Sequence, residues 1–340
     1  MNMPKIVYII AEAGVNHNGS LELAMRLVEK AKESGADCVK FQTFKTENIV
    51  SRSSPKAAYQ LKVTDAKESQ FEMLKKLEMG KEHFAAIQAH CRKNGIDFLS
   101  TPYNEDDAVL LNELGVEAFK IASGQLVELP FLRFVAAFRK RMIISTGMAD
   151  LAEVYAAVQA IRETGNNDII VLQCNTDYPS RIEDSNLRAM VTMREALKVE
   201  AGYSDHVQDN YACYAAVALG ATVIEKHFTL DRGMEGPDHS SSLEPEGFSE
   251  LVKGIRSVES SLGSGIKSPS ESERKNTFGM RRSLVARSEL RSGKTLERGD
   301  FAFKRPASGL SPNHLDQLIG KKLIKDMAAD EPFTMSHIGF

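Results

Sequence analysis

Short apolar runs alternate with longer amphipathic segments along roughly the first 260 residues of the chain. Eight of these runs predict β-strands, at 7–10, 37–41, 98–100, 118–121, 142–145, 169–172, 200–203 and 222–224. The segment after the first strand is typical of the predicted helices, because Ser20 can cap its start and Gly35 can end it. Eight strand–helix repeats predict a TIM (β/α)8 barrel. A doubly wound open sheet is the alternative, although no Gly-x-Gly-x-x-Gly turn follows the first strand.

The alternation stops near residue 263, where the chain becomes small, polar and charged without an apolar period. We interpret residues 263–282 as a linker. The pattern after this linker differs from the pattern before it. The sequence therefore predicts a barrel domain at 1–262 and a second, smaller domain at 283–340.

The composition fits a compact enzyme. Hydrophobic residues make up 42% of the chain and charged residues 26%, and the formal net charge of −3 gives no reason to expect nucleic acid as a partner. Neither a signal peptide nor an apolar run of membrane length is visible, so a cytoplasmic protein is expected. The cysteines are far apart in sequence, which predicts reduced thiols rather than a disulfide framework or a thiolate zinc site.

Polar residues follow the predicted strands, at the carboxyl ends where a TIM barrel builds its active site. For any one of them a turn or capping role is equally open, but their shared position predicts a site. In chain order they are Glu12, Asn16, His17 and Asn18; Lys40 and Gln42; Ser100, Thr101 and Tyr103; Lys120, Ser123 and Gln125; Ser145 and Thr146; and Asn175, Thr176, Asp177 and Tyr178.

Two later segments, 202–206 and 224–229, each carry a histidine at the end of an apolar run. If these runs are successive parallel strands, His206 and His227 lie side by side and can hold one divalent ion with positions open for substrate. The alternative is that both are hydrogen-bonded structural histidines.

Two lysines close to strand ends indicate an anionic ligand. A lysine this near the core is costly unless its ammonium faces an anion, so Lys40 and Lys120 are interpreted as phosphate or carboxylate holders. The alternative is that both reach bulk solvent. Hydroxyls that can assist are those of Thr101, Ser123, Ser145 and Ser204, and carboxylates available for proton transfer or for sugar hydroxyls are those of Glu12, Asp205, Glu225 and Asp238.

Seven ordered motifs resemble the sialic acid synthase family, which includes the N-acetylneuraminate, legionaminate and pseudaminate synthases. They lie at 11–20, 39–42, 99–102, 144–148, 203–206, 225–229 and 236–239. The resemblance implies that His206 and His227 bind a divalent ion, usually Mn²⁺, with Mg²⁺ or Co²⁺ also possible. It implies that phosphoenolpyruvate contacts Lys40, Thr101, Lys120, Ser123, Ser145, Thr176 and Ser204, and that Glu12, Gln42, Tyr178 and Asp238 face the sugar.

The C-terminal segment is similar to the antifreeze-like SAF domain of the same family, on the motifs at 283–286, 293–296 and 303–306. In relatives this domain is exchanged across a homodimer, and the resemblance implies that Arg305 contacts the N-acyl group of the sugar in the partner's barrel. A different class of function is an ice- or polysaccharide-binding module on an inactive barrel. A scaffold has no use for two histidines and two lysines at one rim.

The mechanism implied by the resemblance is a condensation that forms a carbon–carbon bond. A metal-polarised aldehyde of an open-chain N-acylmannosamine is attacked by phosphoenolpyruvate, water adds at C2, and phosphate leaves. Glu12 is the candidate for proton transfer, while Lys40 and Lys120 stabilise the phosphate. Many members carry Ser-Gly-Glu where this chain has Ser123-Gly124-Gln125, and an amide cannot act as an acid or base. Gln125 is kept with the catalytic residues on one of three alternatives: it only hydrogen-bonds the substrate, proton transfer has moved to Glu12, or activity is reduced. Thr176 stands where some relatives have Asn.

The sugar is the least determined part of the prediction. The segment 45–79 is similar to one shared by neuraminate and legionaminate synthases, so it does not separate the two substrates. We favour N-acetylmannosamine, which gives N-acetylneuraminate. The alternative is 2,4-diacetamido-2,4,6-trideoxymannose, which gives N,N'-diacetyllegionaminate. A phosphorylated sugar would call for a further basic cluster, and synthases of keto-deoxy sugar phosphates lack the C-terminal domain.

Overall fold

The computed structural model describes residues 7–56, 61, 64 and 68–339. The chain divides into two compact units, Met1–Gly263 and Ser264–Phe340. Among the helices of the described residues, none combines the length and the apolar composition that crossing a bilayer requires. All four cysteines are buried thiols, as expected.

The first unit is built on eight parallel strands. They are Tyr8–Gly14 (β1), Cys38–Thr43 (β2), Asp97–Pro102 (β3), Ala118–Ile121 (β4), Arg141–Ser145 (β5), Ile169–Cys174 (β6), Glu200–Asp205 (β7) and Val223–His227 (β8). Their hydrogen-bonded order is β3-β2-β1-β8-β7-β6-β5-β4. The two end strands of this order, β3 and β4, pack side by side, so the sheet curls into a nearly closed barrel. The predicted TIM barrel is confirmed.

Helices surround this sheet and cover its outer face. They are Leu21–Glu33 (α1), Thr46–Ile49 (α2), Gln70–Leu77 (α3), Lys81–Asn94 (α4), Glu105–Leu114 (α5), Leu129–Ala136 (α6), Leu151–Glu163 (α7), Leu187–Leu197 (α8), Tyr211–Ala218 (α9) and Pro245–Leu262 (α10). Helix α1 begins as predicted, because Ser20 Oγ accepts a hydrogen bond from Leu23 N at 3.3 Å. Its buried stripe from Ala24 to Ala31 joins the large core between helices and strands.

A second, smaller apolar layer fills the lower half of the barrel interior. It consists of Ile10, Cys38, Leu99, Ile143, Ile170, Leu172 and Val223. Side chains further along the same strands are polar. The interior is therefore closed below and polar at the carboxyl ends of the strands, which places the site there.

The second unit has its own core. Its strands are Ser283–Ala286 (β9), Phe301–Lys304 (β10), Lys322–Leu323 (β11) and Ile338–Gly339 (β12), paired antiparallel as β9–β10 and β11–β12. Its helices are Glu271–Met280 (α11) and Leu315–Leu318 (α12). The core comprises Leu284, Ala286, Leu290, Leu296, Phe301, Leu315, Leu318, Leu323, Met327, Phe333 and Ile338.

Helix α11 lies inside the segment 263–282 that the sequence predicts as a linker, so part of this linker is helical. The helix starts with a capping box, in which Ser270 Oγ accepts from Glu273 N and the Glu273 carboxylate accepts from Ser270 N. None of its residues is buried. The helix therefore has no buried stripe that a periodic pattern of apolar residues could reveal. The capping box is the feature of the sequence that predicts a helix here.

Candidate functional site

A cavity of about 550 Å³ opens at the carboxyl ends of the barrel strands. Its lining includes fifteen of the residues that the sequence assigns to catalysis, substrate binding or a metal, but not Asp205. These are Glu12, Lys40, Gln42, Thr101, Lys120, Ser123, Gln125, Ser145, Thr176, Tyr178, Ser204, His206, Glu225, His227 and Asp238. The fold brings them to one place, while their individual roles stay predictions.

The register of the parallel strands explains this convergence. Glu12 of β1 pairs with Lys40 of β2 on one side and with His227 of β8 on the other. Ser204 of β7 pairs with Glu225 of β8. Residues at the same height on neighbouring parallel strands are close together, so the strand ends form one continuous polar surface.

A buried ion cluster lies at the bottom of the cavity. Lys40 Nζ is 2.7 Å from Glu12 Oε2 and 3.7 Å from Glu225 Oε1. Lys120 Nζ is 3.4 Å from the same Glu225 Oε1. Lys40 and Lys120 are 3% and 2% exposed, so the alternative that they reach bulk solvent is wrong.

Hydroxyl groups surround the two ammonium groups. Lys40 Nζ donates to Thr101 Oγ1 at 3.2 Å, and Lys120 Nζ donates to Ser145 Oγ at 2.7 Å. Ser204 Oγ donates to the shared Glu225 oxygen at 3.1 Å. Two ammonium groups and several hydroxyls that face one cavity form a site for a small anion with several oxygens.

The cluster shifts the pKa values of its members in different directions. Burial raises the pKa of Glu12 to about 7, against the pull of Lys40 and with the help of Glu225. Burial alone would raise the pKa of Glu225 too, but Lys120 and Lys40 outweigh it and lower that pKa. Burial lowers the pKa of Lys120, whereas Glu12 and Glu225 overcome burial at Lys40 and raise its pKa. Glu12 is thus suited to exchange a proton near neutral pH, while Glu225 stays ionised.

The two predicted metal histidines lie next to each other. The ring centroids of His206 and His227 are 5.2 Å apart, and the ring of Tyr178 lies 4.2 Å from His206 and 5.7 Å from His227. His206 Nδ1 is 2.5 Å from the carbonyl oxygen of Asn175, which leaves Nε2 as the ring nitrogen that could bind an ion. The buried Nδ1 of His227 contacts no hydrogen-bond partner among the described residues.

An unpartnered buried imidazole nitrogen calls for an explanation, and a bound ion beside the second imidazole supplies one. No group of three or more His, Cys, Asp or Glu side chains is arranged for metal binding among the residues described. The two adjacent imidazoles and the unpartnered His227 nitrogen fit a metal ion that takes two protein ligands here and leaves its other positions to substrate or water.

Gln42 connects Glu12 to a residue to which the sequence analysis gave no role. Gln42 Nε2 donates to Glu12 Oε1 at 3.2 Å, and Gln42 Oε1 accepts from the hydroxyl of Tyr103 at 3.1 Å. Tyr103 also lines the cavity. Its position directly after β3 was the available signal. Asp238 lies on the same lining, and burial raises its pKa to about 6 against the nearby His206 and Lys40.

Asp205 does not serve the cavity, contrary to the expectation that it supplies a carboxylate there. Its Oδ2 lies 2.6 Å from Lys226 Nζ, and its Oδ1 accepts from Tyr203 OH and Val207 N, each at 3.0 Å. Successive strand residues point to opposite faces, so Asp205 faces outward while its neighbour Ser204 faces the cavity. It is a structural residue behind the barrel wall.

The position where the family often has glutamate is occupied by a buried amide. Gln125 is 5% exposed, and its Oε1 contacts no hydrogen-bond partner within the described part of the chain. Ser123, at the start of the same short helix, accepts from Gly147 N at 2.9 Å. A side chain on Gly147 would collide with Thr176 Oγ1 at 2.2 Å and Ser123 Oγ at 2.8 Å, so glycine lets these two hydroxyls converge.

An apolar wall was not predicted. Val15, Phe44, Ile49, Val50 and Leu74 line the cavity from the segments that follow β1 and β2, which also contribute the polar Asn48 and Gln70. Part of the 45–79 segment used to compare substrates, at 57–60, 62–63 and 65–67, lies outside the described residues. Arg305 belongs to the second unit, where it is exposed, and its expected contact with the sugar stays a prediction.

Comparison with known proteins gives two family matches. The NeuB family profile matches residues 27–267, and the SAF domain profile matches residues 281–339. The chain is 46% identical to the N,N'-diacetyllegionaminic acid synthase of Campylobacter jejuni, over 96% of this chain and 98% of that protein. It is 40% identical to the protein of the same name from Legionella pneumophila, over 97% and 94%.

A solved structure is similar over most of the chain. The N-acetylneuraminic acid (sialic acid) synthetase from Leptospira borgpetersenii, in complex with citrate, superposes with a TM-score of 0.71 at 33% sequence identity. The superposition covers 80% of this chain and 90% of that one.

Proposed function

Because this chain belongs to the NeuB family, we propose that it condenses phosphoenolpyruvate with 2,4-diacetamido-2,4,6-trideoxymannose and water to give N,N'-diacetyllegionaminate and phosphate. The chain is a phosphoenolpyruvate-dependent synthase of nonulosonic acids. The sequence analysis favoured N-acetylmannosamine. The observation that favours the alternative sugar is near-complete coverage at 46% identity with a diacetyllegionaminic acid synthase.

The apolar wall supports a sugar without a hydroxyl at C6. A methyl group gains from contact with side chains such as Phe44, Ile49 and Leu74, whereas a hydroxyl there would lose hydrogen bonds to water. The described lining contains two lysines, Lys40 and Lys120, and no arginine. Both lysines contact Glu225. No further cation of the described lining is available for a phosphorylated sugar.

Phosphoenolpyruvate is assigned to the lysine pair. Its phosphate and carboxylate would lie beside Lys40 and Lys120, with donors from Thr101, Ser123, Ser145, Thr176 and Ser204. C3 of phosphoenolpyruvate forms the new bond to C1 of the aldehyde, and the aldehyde oxygen takes up a proton. Water adds at C2, and the C–O bond to phosphate then breaks. Glu12 is placed to supply or remove a proton, because its pKa is raised to about 7.

A divalent ion, Mn²⁺ first and Mg²⁺ or Co²⁺ as substitutes, is assigned to His206 and His227. When bound it supplies Lewis-acid polarisation of the aldehyde oxygen. What the chain itself provides is two adjacent imidazoles, one oriented by the Asn175 carbonyl and one with an unpartnered nitrogen. Tyr178 packs against both rings and limits how they turn.

A homodimer with exchanged C-terminal units, in which Arg305 contacts an N-acyl group of the sugar in the other subunit's barrel, is the proposed assembly. Its support is the SAF match and the exposure of Arg305, for which no ion pair exists within the described residues. Guanidinium groups bind carbonyl oxygens through several donors, which suits an acyl group.

Phosphate release from phosphoenolpyruvate tests the function. Metal-stripped protein is assayed with Mn²⁺ restored and with one of three sugars: N-acetylmannosamine, its 6-deoxy derivative, or 2,4-diacetamido-2,4,6-trideoxymannose. Each successive pair differs at one carbon, C6 and then C4. We expect the highest kcat/KM with the diacetamido sugar. A preference for N-acetylmannosamine would instead make the protein a neuraminate synthase, the function named for the Leptospira structure.

A further inference from the structure

Tyr103 stands at the end of a chain of hydrogen bonds that leads to the ion cluster. Its hydroxyl donates to Gln42 Oε1 at 3.1 Å, and Gln42 Nε2 donates to Glu12 Oε1 at 3.2 Å. The other Glu12 oxygen lies 2.7 Å from Lys40 Nζ. The chain is therefore continuous from the phenol to the carboxylate.

The ionised Glu12 carboxylate only accepts hydrogen bonds and so attracts the NH₂ end of the Gln42 amide, while the Tyr103 hydroxyl donates to the oxygen end and holds it there. A carboxamide can rotate by half a turn about its last bond, which exchanges its oxygen and its NH₂ group. With the Tyr103 O–H on one side and a carboxylate on the other, one orientation satisfies both contacts. While Glu12 is ionised, the reverse orientation would place Gln42 Oε1 against Glu12 Oε1, two acceptors without a proton between them.

The ring of Tyr103 is itself held in place. It packs edge-on against Phe44 at a centroid distance of 5.9 Å and an angle of 80°. It lies against a small apolar cluster formed by Val15, Phe44 and Leu77. A ring fixed by packing can impose a direction on its hydroxyl partner, which a mobile side chain could not do.

We propose that Tyr103 is a positioning residue, whose hydroxyl orients the Gln42 amide so that its NH₂ group holds Glu12 in place for proton transfer. The inference rests on the proposed function, because the role of Glu12 belongs to that proposal. On this proposal Tyr103 acts through Gln42 rather than directly on the reacting atoms.

The substitution Tyr103→Phe removes the hydroxyl and keeps the ring. We expect kcat to fall about five- to tenfold, the scale of one net hydrogen bond, with the KM for phosphoenolpyruvate unchanged. Tyr155→Phe, at a tyrosine that is 54% exposed on α7, is the matched control and should leave kcat unchanged. Thermal unfolding of both variants should match that of the wild type.

A double-mutant cycle separates positioning from a direct role. If Tyr103 acts through Gln42, then Tyr103→Phe should cost nothing further in a Gln42→Ala background. Additive losses in kcat, or a sugar KM that rises with Tyr103→Phe in both backgrounds, would overturn the proposal and indicate that the phenol contacts the sugar directly.

One readout does not depend on turnover. In protein labelled with ¹⁵N-glutamine, the side-chain NH₂ signals of Gln42, assigned by their absence from Gln42→Ala, should shift in Tyr103→Phe and stay in place in Tyr155→Phe. Unshifted Gln42 signals in Tyr103→Phe would sink the inference even if the enzyme is active. Shifted signals in a protein that turns over none of the three sugars would leave Tyr103 as the orienting group and count against the proposed function instead.

Discussion

A single carboxylate oxygen organises the bottom of the cavity. Glu225 Oε1 accepts from Ser204 and lies within 3.7 Å of Lys40 and 3.4 Å of Lys120, while Glu225 Oε2 contacts no partner among the described residues. All three charged groups are buried. In this setting, removing one charge leaves another without compensation, so stability and anion binding respond differently to the same substitutions.

Lys120→Met tests that separation. Loss of one ammonium should weaken phosphoenolpyruvate binding at least tenfold and destabilise the fold by about 3–5 kcal/mol, because the buried Glu225 carboxylate loses a partner. Adding Glu225→Gln removes the uncompensated charge and should recover most of the stability without recovering the affinity. Chemical unfolding and calorimetric titration with phosphoenolpyruvate measure the two effects. Recovery of both together would show that Lys120 is structural and does not hold the anion.

His206→Ala and His227→Ala test the metal assignment at the same scale. Each removes one of two imidazole ligands, so we expect Mn²⁺ affinity to drop by at least tenfold, measured by the electron paramagnetic resonance signal of unbound Mn²⁺. Phosphate release should fall with it. His314→Ala, at a histidine of the second unit, is the control. Wild-type Mn²⁺ affinity in both variants, or full turnover of either in a chelator, would contradict the assignment.

The sequence predicted the strands well where apolar residues define them. The predicted strands end too early at their carboxyl ends, where the polar residues of the site begin. The run at 37–41 predicts a strand, but β2 extends to Thr43 and carries Gln42 in its ladder. The run at 222–224 likewise stops before the polar end of β8 at His227. These polar side chains are buried by facing one another across the barrel, which a local pattern of hydrophobicity cannot register.

The partners of a site residue are a tertiary property and could not be predicted. The sequence placed Asp205 and Ser204 together, yet strand alternation sends one outward to Lys226 and the other inward to Glu225. The role of Tyr103 depends on Gln42, 61 residues away in sequence. Motif spacing identifies such residues as candidates, and the fold decides which side chains meet.

The loop between β1 and α1 makes stability depend on pH. His17 is 1% exposed, its Nδ1 accepts from Gly19 N at 3.0 Å, and its Nε2 contacts no partner in the described part of the chain. Burial lowers its pKa from 6.5 to about 4, with His239 and His83 adding to the effect. Between these values the unfolded chain binds a proton that the folded chain does not. Stability therefore falls as the pH drops from about 6.5 toward 4.

His17→Asn should flatten this dependence. Asn Oδ1 can replace Nδ1 as the acceptor for Gly19 N–H but does not titrate. The difference between 6.5 and about 4 corresponds to at most ~3 kcal/mol, so we expect the wild type to lose a good part of that between pH 7 and 5, and the variant distinctly less. Urea unfolding at the two pH values measures both. Parallel pH curves for wild type and variant would show that other groups carry the dependence.

At the scale of the whole molecule, the chain consists of two units with separate cores. The first holds every predicted barrel residue of the site, and the second holds Arg305. Linker composition predicted where the pattern changes, but no feature of the sequence alone states which barrel Arg305 serves. An experiment that mixes two variants can determine whether Arg305 acts on its own barrel or on that of the other subunit.

Arg305→Ala should raise the KM for the sugar far more than the KM for phosphoenolpyruvate, because the residue is assigned to an acyl group of the sugar. Lys304→Ala, at the exposed neighbour that pairs with Asp330, is the control. Mixing inactive Lys120→Ala protein with Arg305→Ala protein should restore normal sugar affinity in a fraction of the sites if the arginine acts across subunits. Equal effects on both substrates, or no complementation after subunit exchange, would contradict the exchanged dimer.

The hydrogen-bonded wall of the barrel is interrupted at one place, and we call the contact between β3 and β4 the joint. Strands β3 and β4 end the hydrogen-bonded order, and their described residues share no ladder. The joint runs directly beside the proposed anion site, since β3 supplies Thr101 and β4 supplies Lys120. A ligand that contacts residues of both strands would stabilise the contact between β3 and β4 by its binding free energy. Deuterium uptake of 97–102 and 118–121 should therefore slow when phosphoenolpyruvate binds, and more than at the ladder between β6 and β7. Uniform slowing of deuterium uptake across the barrel would mean that the contact between β3 and β4 is no less stable than the other strand pairs. Phosphoenolpyruvate binding would then not depend on that contact.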